Sequence, residues 1–458
     1  RESRSEKGLE MEGKLITDNF NVGELIRNRS LGEVTLNSTM SALLRDEQYG
    51  GSNFYIDSIS VKKLEFNKYT FRNIYSVGSY VNKRFDGRII CHDPNLDFIF
   101  QGVIGHASKE DSYYDFYADI VHADLTAINL DKRDSVSQVN FRTLANFTRK
   151  ATGDILGNIS VKSLEYRNRN GLFNIGDISI KSLSGNNNYS VYLNSTFAEA
   201  TYTGTDFLTT FIERMIRTTA MRHLPALIPE KEIEEDKKAE HYSLNLTFHD
   251  TKAVSQMILP GLIIADKSSF KANIDENRKS TFSYISSESG YGKNLAKNID
   301  ISFSSDNENL KGSINASGIS VAGILTNSAL LDISSSQDMI ALRGTVKTGK
   351  DVINTYHLSS DIKISRTEDS TRKYEIRLNP SEFDISKRRW QLSDSRVTIE
   401  DSTYSVDGFS ISNGEQHLFV NVRISPLPGD TLNLRINRFD LSPVNMFLSL
   451  PFPVEGKL

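Results

Sequence analysis

A mainly β fold of antiparallel strands with a few short amphipathic helices is predicted by three features of the 458-residue chain. The first is alternation. Phe98 and Phe100, Ile299, Ile301 and Phe303, Tyr374, Ile376 and Leu378, Val420, Val422 and Ile424, and Leu432, Leu434 and Ile436 recur at every other position, mostly with Asp, Ser, Asn, Lys or Arg between them. A period of two puts each set on one face of a strand that is dry on one side and wet on the other. The second is the spacing of turn signals. Asn67-Lys68, Asn170-Gly171, Gly185-Asn186 and Pro428-Gly429 separate strands at short intervals, which favours antiparallel meanders over helical crossovers.

The third feature is a phrase used four times, at Leu15–Leu25, Ile120–Leu130, Ile314–Leu325 and Leu434–Val444. In each, a strand is expected to end on Asn19, Asp124, Gly318 or Asp440. Phe20, Leu125, Ile319 or Leu441 follows, then Val22, Ala127, Val321 or Val444, so that a short helix or turn caps the strand. A unit repeated in this way points to a repetitive array rather than to one core around a catalytic pocket.

Three segments depart from alternation. Apolar residues at 207, 208, 211, 212, 215 and 216 predict an amphipathic helix over Asp206–His223, with Thr205 or Asp206 placed to cap it. The mixed-charge run 229–240 reads as a solvated linker or frayed helix. Asp250–Leu262, with Val254, Met257, Ile258 and Leu259, predicts a second short helix before Pro260-Gly261. Together they divide the chain into expected units 1–149, 150–240 and 241–458.

Composition narrows the function. Lys plus Arg at 54 against Asp plus Glu at 58 leaves a net charge of −4, with the signs interspersed and no basic stripe for nucleic acid. The single cysteine, Cys91, lies in the alternating run Arg88–Asp93 and is expected to be a buried thiol. The eight histidines (92, 106, 122, 223, 241, 249, 357, 417) have no metal-ligand spacing, and His241 and His249 are expected at opposite ends of one strand. No HExxH, GxSxG, phosphate-loop or paired-cysteine motif occurs, and Gly290–Gly292 reads as a turn. His92 and Asp93 are adjacent and should point to opposite faces. Neither enzymatic activity nor a cofactor or metal is expected. The Asn-x-Ser/Thr triplets at 37, 146, 194, 245 and 315 are what a Ser- and Asn-rich chain produces by chance. Apolar stretches such as Met257–Ala265 are far shorter than the roughly 20 residues of a membrane span. The chain is therefore expected to be a soluble internal piece of a larger protein.

The strand-plus-turn phrases, the passage of Ser190–Phe197 and Ala198–Thr203 into the amphipathic helix, and the segments Leu31–Thr39, Asp93–Gly105 and Tyr117–Leu130 resemble the TamB branch of the AsmA-like superfamily, from the envelopes of diderm bacteria. The resemblance covers essentially the whole chain. It implies an elongated sheet curled into a half-closed apolar groove that carries phospholipid toward the outer membrane. It also implies a periplasmic location, an inner-membrane anchor outside this chain, and an outer-membrane β-barrel partner of the Omp85 type. Val61, Phe98, Phe100, Ile301, Phe303, Ile376, Val420, Val422, Leu434 and Ile436 are then the candidate lipid-lining residues. Turn signals for roughly 25 strands at about 4.8 Å each give an array on the order of 120 Å long. The second function class is an assembly scaffold whose sheet edges recruit outer-membrane β-barrel proteins by strand addition. For the apolar face itself, the plain alternative is a closed core.

Overall fold

The computed structural model describes residues 2–5, 8–45, 51–106, 111–186, 188–228, 241–277, 279–306, 308–321, 323–350, 352–367, 371–385, 387–426 and 428–438. Strands dominate them. By packing, the chain falls into two units, Arg1–Ala200 with Lys252–Pro260, and Thr201–Thr251 with Gly261–Leu458. Among the described residues the α-helices are α1 (Val22–Ile26), α2 (Leu208–His223) and α3 (Lys252–Ile258).

The first unit contains β1 (Glu2–Ser5), β2 (Gly8–Asn21), β3 (Leu31–Leu44), β4 (Asn53–Phe66), β5 (Tyr69–Phe71), β6 (Ile74–Val81), β7 (Arg84–Asp93), β8 (Leu96–His106), β9 (Ser112–Asp124), β10 (Ser137–Arg149), β11 (Ile155–Asn168), β12 (Gly171–Gly185) and β13 (Asn188–Ser195). Each pairs antiparallel with its neighbour in sequence, β4 taking both β5 and β6. The expected Asn67-Lys68 turn closes β4 onto β5 with both residues at positive φ, 51° and 63°, the conformation of a two-residue hairpin whose twist matches the strands. Gly78, Gly87 and Gly102 face one another across β6, β7 and β8. A Cβ on Gly78 would lie 2.6 Å from the Gly87 Cα, and one on Gly102 2.5 Å from the Phe116 Cα, so only glycine permits this close approach.

The second unit begins within β14 (Ala198–Gly204), which carries the boundary. It continues with α2, a 3₁₀ turn at Pro225–Leu227, β15 (Tyr242–Phe248), β16 (Leu262–Ile264), β17 (Ser269–Ile274), β18 (Ser280–Tyr291), β19 (Asn294–Ser305), β20 (Leu310–Val321), β21 (Ile324–Ser336), β22 (Met339–Thr348), β23 (Asn354–Arg366), β24 (Arg372–Leu378), β25 (Ser381–Ile385), β26 (Arg388–Leu392), β27 (Ser395–Glu400), β28 (Thr403–Asn413), β29 (Gln416–Ile424) and β30 (Thr431–Asn437). From β17 to β24, and from β27 to β30, each strand again pairs with the next. β24 pairs with β27, while β25 and β26 form a hairpin between β23 and β28. Pro380, which has no N–H to give to a ladder, lies where β24 ends and β25 begins.

The repeated phrase resolves into different structures. In the first copy Asn19 does not end the strand. It sits at φ 48° in a β-bulge between Thr17 and Phe20, and β2 runs on to Asn21, whose side chain caps α1 by accepting from the Glu24 amide at 3.1 Å. The second copy ends as expected at Asp124, which accepts from the Ala127 amide at 2.9 Å while Ile128 is buried. The third has no capping helix: β20 passes through Gly318, at φ 53°, to Val321. The left-handed conformation that Asn and Gly favour suits a bulge inside a strand as well as a strand end. Asp440–Val444 of the fourth copy and the run 229–240 lie outside the described residues.

The amphipathic helix forms over Leu208–His223, but Phe207 is its N-cap and no side chain caps it. Asp206 instead accepts the Tyr242 hydroxyl at 3.0 Å, and its carbonyl accepts the Tyr202 hydroxyl at 2.6 Å. Neither Thr205 nor Asp206 takes the role expected of it. α3 forms within Asp250–Leu262, and His241 and His249 flank the two ends of β15.

Candidate functional site

Strand register decides which residues share a face, because directly opposed residues in an antiparallel pair project to the same side. In the first unit Val61, Ile74, Cys91, Phe98 and Ile120 form one continuous row across β4, β6, β7, β8 and β9. Phe100, two residues along, continues the same face with Ile89 on one side and Ala118 on the other. Val61, Phe98 and Phe100 therefore lie together as alternation predicts. Phe100 packs between Phe85 and Phe116, ring centroids 6.3 and 5.3 Å away, and Tyr114 stacks on Phe147 at 4.5 Å. The opposite face carries Arg88, Gln101 and Tyr117 in one row.

At β10–β12 this apolar face is a packed core. Val254 of α3 is buried with Leu164, Tyr166 and Ile175, and Phe141, Ile178 and Met257 pack around them. Polar contacts fix the helix there: the Asn168 side-chain amide donates to the Gln256 carbonyl at 3.4 Å, and Arg133 donates to the Ile258 carbonyl at 3.4 Å. Arg133 is itself held by Asp131, 2.8 Å away, which also accepts the Ser137 hydroxyl at 2.9 Å. The guanidinium and these hydrogen bonds hold the Asp131 carboxyl far below the usual carboxylate range.

In the second unit the remaining seven candidates, Ile301, Phe303, Ile376, Val420, Val422, Leu434 and Ile436, also share one face. Phe303 stands opposite Phe282 and Gly312, and Ile301 opposite Tyr284 and Ile314. Further along, Ile340, Ile362, Ile376, Val397, Val406, Val422 and Leu432 make a continuous row over seven strands. Val420 pairs with Leu434, and Leu418 with Ile436.

The environments along this face differ. Trp390 is 2 % exposed, with Tyr356, Phe383, Ile411, Leu418 and Ile436, themselves partly buried, packed on it. Leu434, two residues away, is 50 % exposed, and Leu358, Leu432 and Ile424 on the same face are more exposed still. An apolar cavity of about 400 Å³ lies between this face and α2, lined by Met215, Ile216, Ala220, Leu224, Leu227, Phe282, Phe303 and Leu310, among others.

α2 covers the ends of strands rather than their length. Phe211 is fully buried against Tyr202 and Tyr242. Thr219 meets Ser280 at 3.1 Å, and Arg222 donates to the carbonyls of Asn277 and Asp306. The following 3₁₀ turn continues along this rim. The Ala226 amide donates to Asp338 at 2.8 Å, and Arg366 and Arg372 donate to the carbonyls of Ala226 and Leu227, each at 3.0 Å. The apolar spacing identifies the helix, but not the hairpins it ties together.

Cys91 is fully buried, and burial pushes its thiol up to about 11. His92 is exposed and meets Asp97 at 3.0 Å, whereas Asp93 is buried and accepts from the Tyr69 hydroxyl and the Arg72 and Asn95 amides, so the two point to opposite faces. Among the described residues no three His, Cys, Asp or Glu side chains converge to hold a metal ion, and no helix is long and apolar enough to cross a membrane. No protein-family model, curated protein or solved structure matches the chain.

Proposed function

We propose that this chain is a bridge-like segment that shields phospholipid acyl chains along the apolar face of a long sheet, with a half-closed groove as its working form. The observation that carries this reading is exposure within continuity. Leu432 closes the half-buried Ile376 row, and Leu358 and Leu434 lie on the same face, yet the three are 68, 52 and 50 % exposed. Scattered exposed leucines are ordinary, but apolar residues in register along one face form the kind of patch that meets lipid or a partner. Each methylene kept from water is worth about 0.8 kcal/mol, so a phospholipid with two chains of about 16 carbons gains roughly 25 kcal/mol from a covered path.

The environment that accompanies this reading is the periplasm of a diderm cell, with an inner-membrane anchor outside this chain and an Omp85-type barrel as receiver. The resemblance to TamB-like proteins supports these assignments. The test is a photo-crosslinking residue at Leu434 or Phe303, with mass spectrometry of the adducts and of lipid extracted from the purified protein. Phospholipid on both positions is expected. Absence of lipid from crosslinks and extract alike, from protein prepared without detergent, removes the proposal and leaves the face as a core.

A further inference from the structure

His223, the last residue of α2, is 1 % exposed, and its ring nitrogens make no hydrogen bond of normal geometry, the Glu308 backbone being only a weak partner. A buried polar ring normally finds a partner, because leaving one unsatisfied costs about 1–3 kcal/mol. Its position is equally specific. The His223 carbonyl accepts the Asp338 amide at 3.0 Å where α2 passes into the 3₁₀ turn, between the contact of Arg222 with the 306–309 hairpin and that of Ala226 with Asp338. Leu224, immediately after it, and Ala220, one turn before it, both line the apolar cavity.

We propose that His223 is a proton-operated latch: the neutral ring holds the C-terminal end of α2 against the hairpins, and a proton on the ring releases that end and opens the cavity lined by Met215, Leu224, Leu227, Phe282, Phe303 and Leu310. The proposal does not depend on what the cavity takes. An imidazolium at this site would be buried beside a cation, and a buried unpaired charge is expelled or unfolds its surroundings. The charged and titratable neighbours are Arg222 on the same helix, Asp306 and Glu308 on the β19–β20 hairpin with Lys279 and Lys311 beside Asp306, Asp338 on the β21–β22 hairpin, and Arg366 of β23 and Arg372 of β24, which bond the carbonyls of the 3₁₀ turn. Asp306 and the Glu308 backbone favour the charged ring, but burial and then Arg222 oppose it, and the ring is held below the ordinary histidine range. Asp306 is itself held below the ordinary carboxylate value by the Asn309 and Glu308 amides.

The sign follows from linkage. A ring whose pKa falls on folding is more protonated in the released state, so the closed helix is fully stable above the free histidine value of about 6.5 and loosens as pH falls through the depressed one. The experiment is hydrogen–deuterium exchange of the whole chain at pH 7.5 and 5.0, corrected for intrinsic rates, on the native sequence, His223→Phe and His223→Leu. Faster exchange at pH 5.0 is expected in peptides from 208–223 but not in 294–305. The acceleration should be about tenfold for each unit by which the ring lies below its free value, up to about thirtyfold at pH 5.0, and should be lost in both variants. Acceleration that persists in the variants, is absent from the native chain, or extends equally to 294–305 would overturn the latch. If neither variant folds, NMR titration of the native His223 ring decides. Protonation in step with helix release supports the latch, and protonation without release excludes it.

Discussion

The ring of Phe303 fills the space that a side chain at Gly312 would occupy: the two residues are directly opposed on β19 and β20, and a Cβ on Gly312 would lie 2.3 Å from the ring. An aromatic ring laid over a cross-strand glycine restores contacts that the glycine lacks. Here it also holds Phe303 as a wall of the α2 cavity. Gly312→Val must displace the ring. It is expected to destabilise the second unit by about 1–3 kcal/mol and to reduce any crosslinking from position 303. Unchanged melting together with unchanged crosslinking would show that the ring moves aside freely.

Leu434 and Ile436 provide a test within one strand. Both lie on the apolar face of β30, one half exposed and the other packed on Trp390. Leu434→Asp should lower stability by about 1 kcal/mol or less, since it gives up only part of a leucine's burial. Ile436→Asp should lower it by about 3 kcal/mol, because the carboxylate replaces a core contact. Thermal melts of the two variants make the comparison. Equal losses would mean that exposure along this face does not govern the cost of a charge.

Trp390 is the only tryptophan in the sequence and is almost fully buried, so its fluorescence reports on one cluster. Native emission should be blue-shifted and poorly quenched by acrylamide, turning red on unfolding. Trp390→Ala should cost about 3–5 kcal/mol. A red-shifted native spectrum would contradict the packing around it.

Asp131 couples a loop to α3. Because its carboxyl is held low in the folded state, its contribution is fully present above the ordinary carboxylate range and is lost only as pH falls through the depressed value. Asp131→Asn removes the charge but keeps the shape. It should destabilise the first unit at pH 7 by about 1–3 kcal/mol, with the difference from the native chain shrinking in strong acid. A difference independent of pH would assign the role to shape alone.

Cys91 lies at the centre of the Val61–Phe98 row, fully buried and with its thiol pushed up to about 11. At pH 8 the folded chain should react with thiol reagents orders of magnitude more slowly than the unfolded one, at a rate that rises with denaturant. Prompt stoichiometric labelling under native conditions would show that the row opens to solvent.

Much of this organisation was legible because a period of two leaves little freedom. Once Val61, Phe98 and Phe100, or Ile376 and Val422, alternate with polar residues, antiparallel register brings them to one face. The helix over Leu208–His223 was legible from its spacing of apolar residues. What the linear pattern could not carry was long-range. Ile436 and Leu434 look identical in sequence, and only the hairpin β25–β26, which brings Trp390 across, distinguishes core from exposed surface. Asn19 and Gly318 presented the same local chemistry as Asp124, and pairing decided between a bulge and a strand end. The isolation of the His223 ring depends on hairpins 80 to 120 residues downstream, for which its own neighbourhood gives no sign.

The rim contacts of α2 have a consequence in time. The strands from β17 to β24 can pair each with the one just made, but the turn after α2 is completed only by Arg366 and Arg372, the latter 145 residues beyond the carbonyl it reaches. At roughly 5–20 residues per second of synthesis, that interval is on the order of ten seconds. Throughout it, Met215 of α2 and Leu224 and Leu227 just after it belong to a segment whose final seat is incomplete. A nascent chain stalled between residues 240 and 370 would display this amphipathic surface to the first chaperone or membrane it met.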